Sequence, residues 1–322
     1  MPHWKATLTY DGTPYNGWQV QPNLPTVQGT LTQAIRRITG ETLLPQGSGR
    51  TDTGVHALGQ VATFSLTVPI PADNLLHALN RALPSSIRVL SIEAVPSTFH
   101  ARYSALRKTY EYRILPGNRI CSPMLAPFVW ACPHELDLHA LQQAASHILG
   151  THDFTSFAAA DPDLTTRNKI ASITDNVVPE PSTLDPSYFA QLNSDLATAT
   201  DAEDSQIGES IIATNAGASA AISKKPISLL LPPLSRKLPA YATNTRTIHH
   251  STWTQQEDLL IYRITGSGFL HHMVRNLVGT FVEAAIGRIS PDAIPAILAA
   301  RNRSTAGPTA PARGLFLAEV IY

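Results

Sequence analysis

Trp4-Lys5-Ala6-Thr7-Leu8-Thr9-Tyr10-Asp11-Gly12-Thr13-Pro14 alternates and then breaks. Trp4, Ala6, Leu8 and Tyr10 share one face, and Lys5, Thr7 and Thr9 share the other. A period of two with one apolar face is a half-buried strand, and Asp-Gly-Thr-Pro is turn chemistry. Working outward, the same alternation returns at Ile87–Val95, Thr109–Leu115, Leu259–Thr265 and Leu315–Tyr322, with a shorter strand at Val61–Leu66. Helical spacing lies between them. Val27, Leu31, Ala34, Ile35 and Ile38 form a stripe behind a capping Thr26 and ahead of Gly40. Ala72–Ala82 turns Leu75, Leu76 and Leu79 inward. Asp137 caps a helix bearing Leu138, Leu141, Ala145, Ile148 and Leu149, which Gly150 closes. After Gly266-Ser267-Gly268 comes a helix with Leu270, Met273, Val274, Leu277, Val278, Phe281 and Val282 inward, and Ser290-Pro291 opens a short one. Interspersed helices and short strand returns predict an α+β fold, with helices flanking largely antiparallel β-sheet.

The 322 residues suit one large domain or two ordinary ones. Lys plus Arg number 24 and Asp plus Glu 24, so a nucleic-acid partner must be held by a local patch and not by bulk charge. Cys121 and Cys132 form no CxxC pair, which excludes a disulfide scaffold and a zinc ribbon. No apolar run approaches the ~20 residues of a membrane helix. Met1-Pro2-His3-Trp4-Lys5 lacks the apolar core of a signal peptide, so a cytoplasmic protein is expected, with no membrane association. Residues 162–243 differ from the rest. They hold none of the 12 histidines, eight of the 25 prolines, and no sustained period of either kind. That composition predicts a disordered insertion into a loop, carrying no chemistry.

Gly47-Ser48-Gly49-Arg50-Thr51-Asp52-Thr53-Gly54-Val55-His56-Ala57 is the most informative stretch for chemistry. Three glycines bracket Arg50 and Asp52, just ahead of a strand. Glycine serves where a chain turns sharply or approaches a ligand closely, and a loop bearing Arg and Asp beside a sheet suits a catalytic site. A turn in which Asp52 bonds nearby backbone amides is the plainer alternative.

The wider order of motifs favours the site. Tyr10-Asp11-Gly12-Thr13-Pro14-Tyr15-Asn16-Gly17-Trp18-Gln19-Val20-Gln21 precedes the loop. Phe99-His100-Ala101-Arg102-Tyr103-Ser104-Ala105, Lys108-Thr109-Tyr110-Glu111-Tyr112 and Asp153-Phe154-Thr155-Ser156-Phe157 follow it. Gly268-Phe269-Leu270-His271-His272-Met273-Val274-Arg275-Asn276-Leu277-Val278-Gly279 comes last. The ordered set resembles the transfer-RNA pseudouridine synthases of the TruA family, over essentially the whole chain outside the insertion. The resemblance implies isomerisation of uridine to pseudouridine at nucleotides 38–40 of the anticodon stem-loop, without metal or cofactor. It implies two similar α+β halves, residues 1–104 and 105–322, with a basic RNA-binding cleft between them. A homodimer that binds tRNA follows from it too, and binding should weaken steeply with salt.

By the same resemblance Asp52 looks like the catalytic aspartate and Arg275 like the arginine that pairs with it. Tyr110 looks like the active-site tyrosine against the base, Arg50 like the arginine associated with base flipping, and Leu315 like an apolar wall of the pocket. Arg102 is read as an RNA contact. These residue types suit the task. A nucleophilic carboxylate must be ionised, a guanidinium keeps it so, and a stacked uridine must be extruded before it can react.

The family usually has Ala after the catalytic Asp; here Thr53 creates Asp-Thr-Gly, the triplet of aspartic proteases. Arg50-Thr51 precede it where an apolar strand belongs, and the chain has no second triplet, which argues against a protease. A catalytically silent RNA-binding protein is the other alternative. His271-His272 invites a metal reading, but neighbours on a helix diverge by ~100° and a third ligand is wanting, so no metal is expected there.

Overall fold

The computed structural model describes residues 1–159 and 243–322. The expected insertion, apart from Thr243, lies outside the described residues. Among the described residues there are ten strands: β1 (His3–Tyr10), β2 (Gln46–Gly47), β3 (His56–Ser65), β4 (Ile87–Val95), β5 (Arg107–Leu115), β6 (Trp130–Ala131), β7 (Gly150–Asp153), β8 (Thr245–Gln256), β9 (Leu259–Gly266) and β10 (Leu315–Ile321). The helices are α1 (Val27–Thr39), α2 (Ala72–Ala82), α3 (Leu138–Ser146), α4 (Met273–Ala285) and α5 (Ile294–Ala300). All ten strands join one sheet in the order β4-β1-β3-β10-β5-β9-β8-β7, with β2 on β3 and β6 on β5. Its ladders are antiparallel except for β3–β10 and β5–β6. The fold is therefore α+β, built as the hydrophobic patterns predict.

Local chemistry explains the elements. Trp4, Ala6, Leu8 and Tyr10 are all buried along β1, and their neighbours are not. Thr26 caps α1 by accepting a hydrogen bond from the Gly29 N–H, and Gly40 ends it in the left-handed conformation at φ 74°. Asp137 caps α3 by accepting from the His139 and Ala140 N–H groups. α1 packs on α2, which lies on β4; α3 packs on both α4 and β8. α4 is buried almost all round, and its closest approach is at Gly279, where a Cβ would stand 1.7 Å from the Pro308 carbonyl oxygen. Only glycine lets the loop at 307–310 cross the helix there.

Three boundaries differ from the sequence reading, and the short strands β2, β6 and β7 and the long β8 are absent from it. β3 starts at His56 and not at Val61, because Leu58 turns outward and Gly59 runs under the Ala318 carbonyl, which interrupts the apolar pattern. α3 stops at Ser146, so Leu149 is 44% exposed, and Gly150 opens β7. Leu270 precedes α4 and does not belong to it. β8 escaped detection, since a serine, Ser251, separates its buried Ile248 and Trp253 and breaks the apolar alternation.

β10 holds the centre of the sheet. Its ladder to β3 is short, Phe316 opposite His56 and Leu317 opposite Ala57, whereas its ladder to β5 runs from Leu315–Tyr112 to Ile321–Arg107. Residues 1–104 supply the strands on one side of that parallel seam and residues 105–322 supply β10 and the rest.

Candidate active site

Asp52 lies on the loop from β2 to β3, and the segment from Tyr10 to Trp18 fixes that loop. The Tyr10 hydroxyl is 2.8 Å from the Thr51 hydroxyl, and the Trp18 N–H donates to the Thr51 carbonyl at 3.0 Å. The Gly54 N–H donates to the Tyr15 carbonyl. Gly12 passes so close beneath Val55 that a Cβ would sit 2.0 Å from its carbonyl oxygen. From the far side Gln60 donates to the Gly49 carbonyl at 2.7 Å, and the Lys108 ammonium donates to the Ser48 carbonyl. The first motif thus acts as a brace for the second. Asp52 makes a turn bond through its backbone carbonyl, which accepts from the Val55 N–H, while its side chain faces His271, His272 and Arg275.

That side chain meets three cationic or imidazole groups. Arg275 Nη1 is 3.5 Å from Oδ2, His272 Nε2 is 3.3 Å from Oδ2, and His271 Nε2 is 3.5 Å from Oδ1. Arg275 is itself aimed, because its Nε donates to the Ala310 carbonyl at 2.7 Å. Burial pushes the Asp52 carboxyl up, but the hydrogen bond from His271 and the charges of His272, His271 and Arg275 outweigh it, so the carboxyl is held below its ordinary range. An ionised, partly exposed carboxylate with fixed oxygens is a competent nucleophile or base.

The histidines correct an expectation. They do not diverge along a helix, since His272 is the N-cap of α4 with φ 58°, in the left-handed region. The backbone reversal lets both imidazoles turn to one carboxylate, their ring centroids 4.0 Å apart.

The other site residues stand as follows. Tyr110 is buried on β5, its ring edge-on to Phe269 at 5.0 Å and its hydroxyl facing Gly49. Burial and then the Asp52 charge push its phenol well above the ordinary range, so it stays protonated beside the carboxylate. Leu315 is buried on β10 opposite Tyr112, on the face that carries Tyr110. Arg50 shares the loop with Asp52 and is exposed to solvent. Arg102 lies beside His100 and Lys108, whose pKa values are lowered first by burial and then by its charge. The structure therefore brings Asp52, Tyr110 and Arg275 together, and it adds His271 and His272, which sequence reading had set aside.

Lys108 and His56 hold the surroundings of the loop. Burial first, and then Arg102, push the Lys108 ammonium down to about 8 from 10.5. Between pH 8 and 10 the unfolded chain holds a proton that the native chain releases, so the Lys108 contribution to stability rises with pH over that window. Thermal melts at pH 8 and 9.5 should show a smaller rise for Lys108→Met than for the parent; equal rises would refute the assignment. His56 accepts from the Gly12 N–H at Nδ1, and its Nε2 faces the Pro127 and Arg313 carbonyls at 3.0 and 3.2 Å. Asp11 Oδ1 also lies 3.2 Å from Nδ1, and burial outweighs the pull of that carboxylate, so the His56 pKa is lowered; a neutral ring with its proton on Nε2 satisfies the Gly12 N–H and the two carbonyls. Replacing it by Ala strands three polar groups around the Asp52 loop. We expect a loss of roughly 2–4 kcal/mol in urea unfolding, and a change under about 0.5 kcal/mol would contradict this bracing role.

A family profile described as tRNA pseudouridine synthase matches residues 6–104 and 235–322. The chain is 38% identical to tRNA pseudouridine synthase A of Solibacter usitatus, over 98% of this chain and 97% of that one. It is 36% identical to the protein of the same name from Moorella thermoacetica, over the full length of both.

The chain belongs to the tRNA pseudouridine synthase family.

Membership disfavours the protease reading, and the site disfavours it independently. Aspartic proteases need two carboxylates sharing a proton, whereas the Asp52 carboxylate has basic partners on both oxygens. Among the described residues no helix is long and apolar enough to cross a membrane.

Proposed function

We propose that this member of the family isomerises uridine to pseudouridine at nucleotides 38–40 in the anticodon stem-loop of tRNA, with Asp52 as the catalytic carboxylate. The observation that carries the reading is the ionised Asp52, held between Arg275 and two imidazoles on a braced loop. In the reaction the N1–C1′ bond breaks, the uracil turns, and a C5–C1′ bond forms. The proton leaves C5 and N1 gains one, so the product is an isomer. Asp52 is the group that engages the extruded nucleoside. Arg275 keeps it charged and oriented, Tyr110 lies against the base, and Leu315 walls the pocket. Arg50 takes the space that the flipped base vacates or holds its backbone, and Arg102 contacts phosphate. Unstacking the uridine costs a few kcal/mol, and aromatic stacking on Tyr110 offsets about 1–3 of it.

The substrate would lie in a basic cleft between the halves 1–104 and 105–322, on a cytoplasmic homodimer. The two clefts are then equivalent by symmetry. No metal or redox cofactor is assigned a step in this reaction. The test is incubation with an unmodified tRNA transcript, followed by derivatisation specific for pseudouridine and primer extension. Stops at nucleotides 38–40 are the expected result. Stops confined to another arm of the tRNA would overturn the site assignment, and no stop anywhere would favour the silent RNA-binding alternative.

A further inference from the structure

The carboxylate of Asp52 and the Nε2 atoms of His271 and His272 all lie within 4.8 Å of one another. His271 Nε2 is 3.5 Å from Oδ1 and His272 Nε2 is 3.3 Å from Oδ2, so each imidazole stands near the N···O separation of about 3.3 Å that a shared tetrahedral ion sets, but on different oxygens of the one carboxylate. The three donor groups are thus within reach of one ion, and a small turn of the carboxylate presents a single oxygen to both rings. The side chains of all three residues are between 23% and 30% exposed, so an ion in solution can reach the cluster. We propose that Asp52, His271 and His272 form a binding site for a borderline divalent transition-metal ion such as Zn2+, and that its occupation shuts the enzyme off by tying up the catalytic carboxylate.

Donor chemistry sets the class of ion. Two imidazoles and one carboxylate suit Zn2+ or Co2+, whereas Mg2+ and Ca2+ prefer a shell of oxygens. Arg275, 3.5 Å from Oδ2, opposes any cation. Arg275 stands at Oδ2 and His271 at Oδ1, so the ion is best accommodated on the Oδ1 side, with His272 turning toward it. The left-handed turn at His272 is what supplies the second imidazole. With His272 in helical conformation the pair would diverge and leave two ligands at most. The site differs in kind from a catalytic metal centre, because the ion would neutralise the group that must act. Metal and RNA would exclude each other.

Co2+ titration of the full chain reads the site without reference to activity. The expected result is a visible ligand-field band of four-coordinate intensity that saturates at one equivalent. His271→Ala and His272→Ala should each weaken it about tenfold or more, and added Zn2+ should abolish it. A weak six-coordinate spectrum, or a band unchanged in both variants, would overturn the proposal. Should a variant fail to fold, modification of the parent by diethyl pyrocarbonate replaces it, with the remaining ten histidines as internal reference. One equivalent of Zn2+ should shield His271 and His272 selectively; uniform labelling with and without Zn2+ would refute the site. In the tRNA assay Zn2+ should inhibit, with less effect as transcript concentration rises. Inhibition that ignores transcript concentration would refute the exclusion of metal by RNA.

Discussion

Asp52→Asn should abolish pseudouridine formation, lowering turnover by about 10^4-fold or more, while the protein still folds and binds transcript. The amide matches the carboxylate in shape and can still accept a hydrogen bond, so the loop braced by Tyr10, Tyr15 and Trp18 is undisturbed. What is lost is the charge and the nucleophilic oxygen. Affinity for RNA should be equal or slightly higher, since a negative group leaves a surface that must meet phosphate. Single-turnover assays over hours and filter binding separate the two quantities. Turnover equal to the parent would remove Asp52 from the chemistry, and most of the proposed site with it.

The second large effect is at Arg275. Its guanidinium touches one Asp52 oxygen and is anchored through Nε to the Ala310 carbonyl. Losing a charged hydrogen-bonded pair of this kind costs about 1.5–3 kcal/mol, or roughly 10- to 150-fold in kcat for Arg275→Ala. KM for the transcript should barely move, because the group faces the carboxylate and not solvent. The pH profile adds a distinct readout. Asp52 is now held below the ordinary carboxylate range, so the parent keeps its activity as pH falls toward that range. Without Arg275, burial raises the carboxyl against the histidines alone, and the acid limb of kcat should move to higher pH. Lys at this position should restore part of the limb through its charge but little of the geometry. Equal losses in kcat and affinity would make Arg275 a plain phosphate contact.

Wherever packing obeys a period, the fold was legible. β1, α1, α2, β4 and β9 all follow from side-chain alternation, stripes and caps within one or two residues. β8 was illegible because its buried face includes a serine whose hydroxyl bonds the Ala145 carbonyl and the Tyr262 hydroxyl; the polar residue is satisfied only by partners distant in sequence. The site divides the same way. Asp52, Tyr110 and Arg275 lie in motifs that a family resemblance picks out. The second imidazole depends on one backbone angle at His272, which no composition or spacing encodes. Lys108 and His56 were likewise hidden, since their roles lie in carbonyl groups of remote segments, Ser48 for one and Pro127 and Arg313 for the other.

The central place of β10 has a bearing on biosynthesis. Of the ten strands it leaves the ribosome last, yet it fills the gap between β3 and β5. While translation is under way the nascent strands on either side present unpaired edges toward that gap. Until Leu315–Ile321 emerges, β3 and β5 lack the partner they share, and the growing polypeptide carries open strand edges of the kind that chaperones shelter.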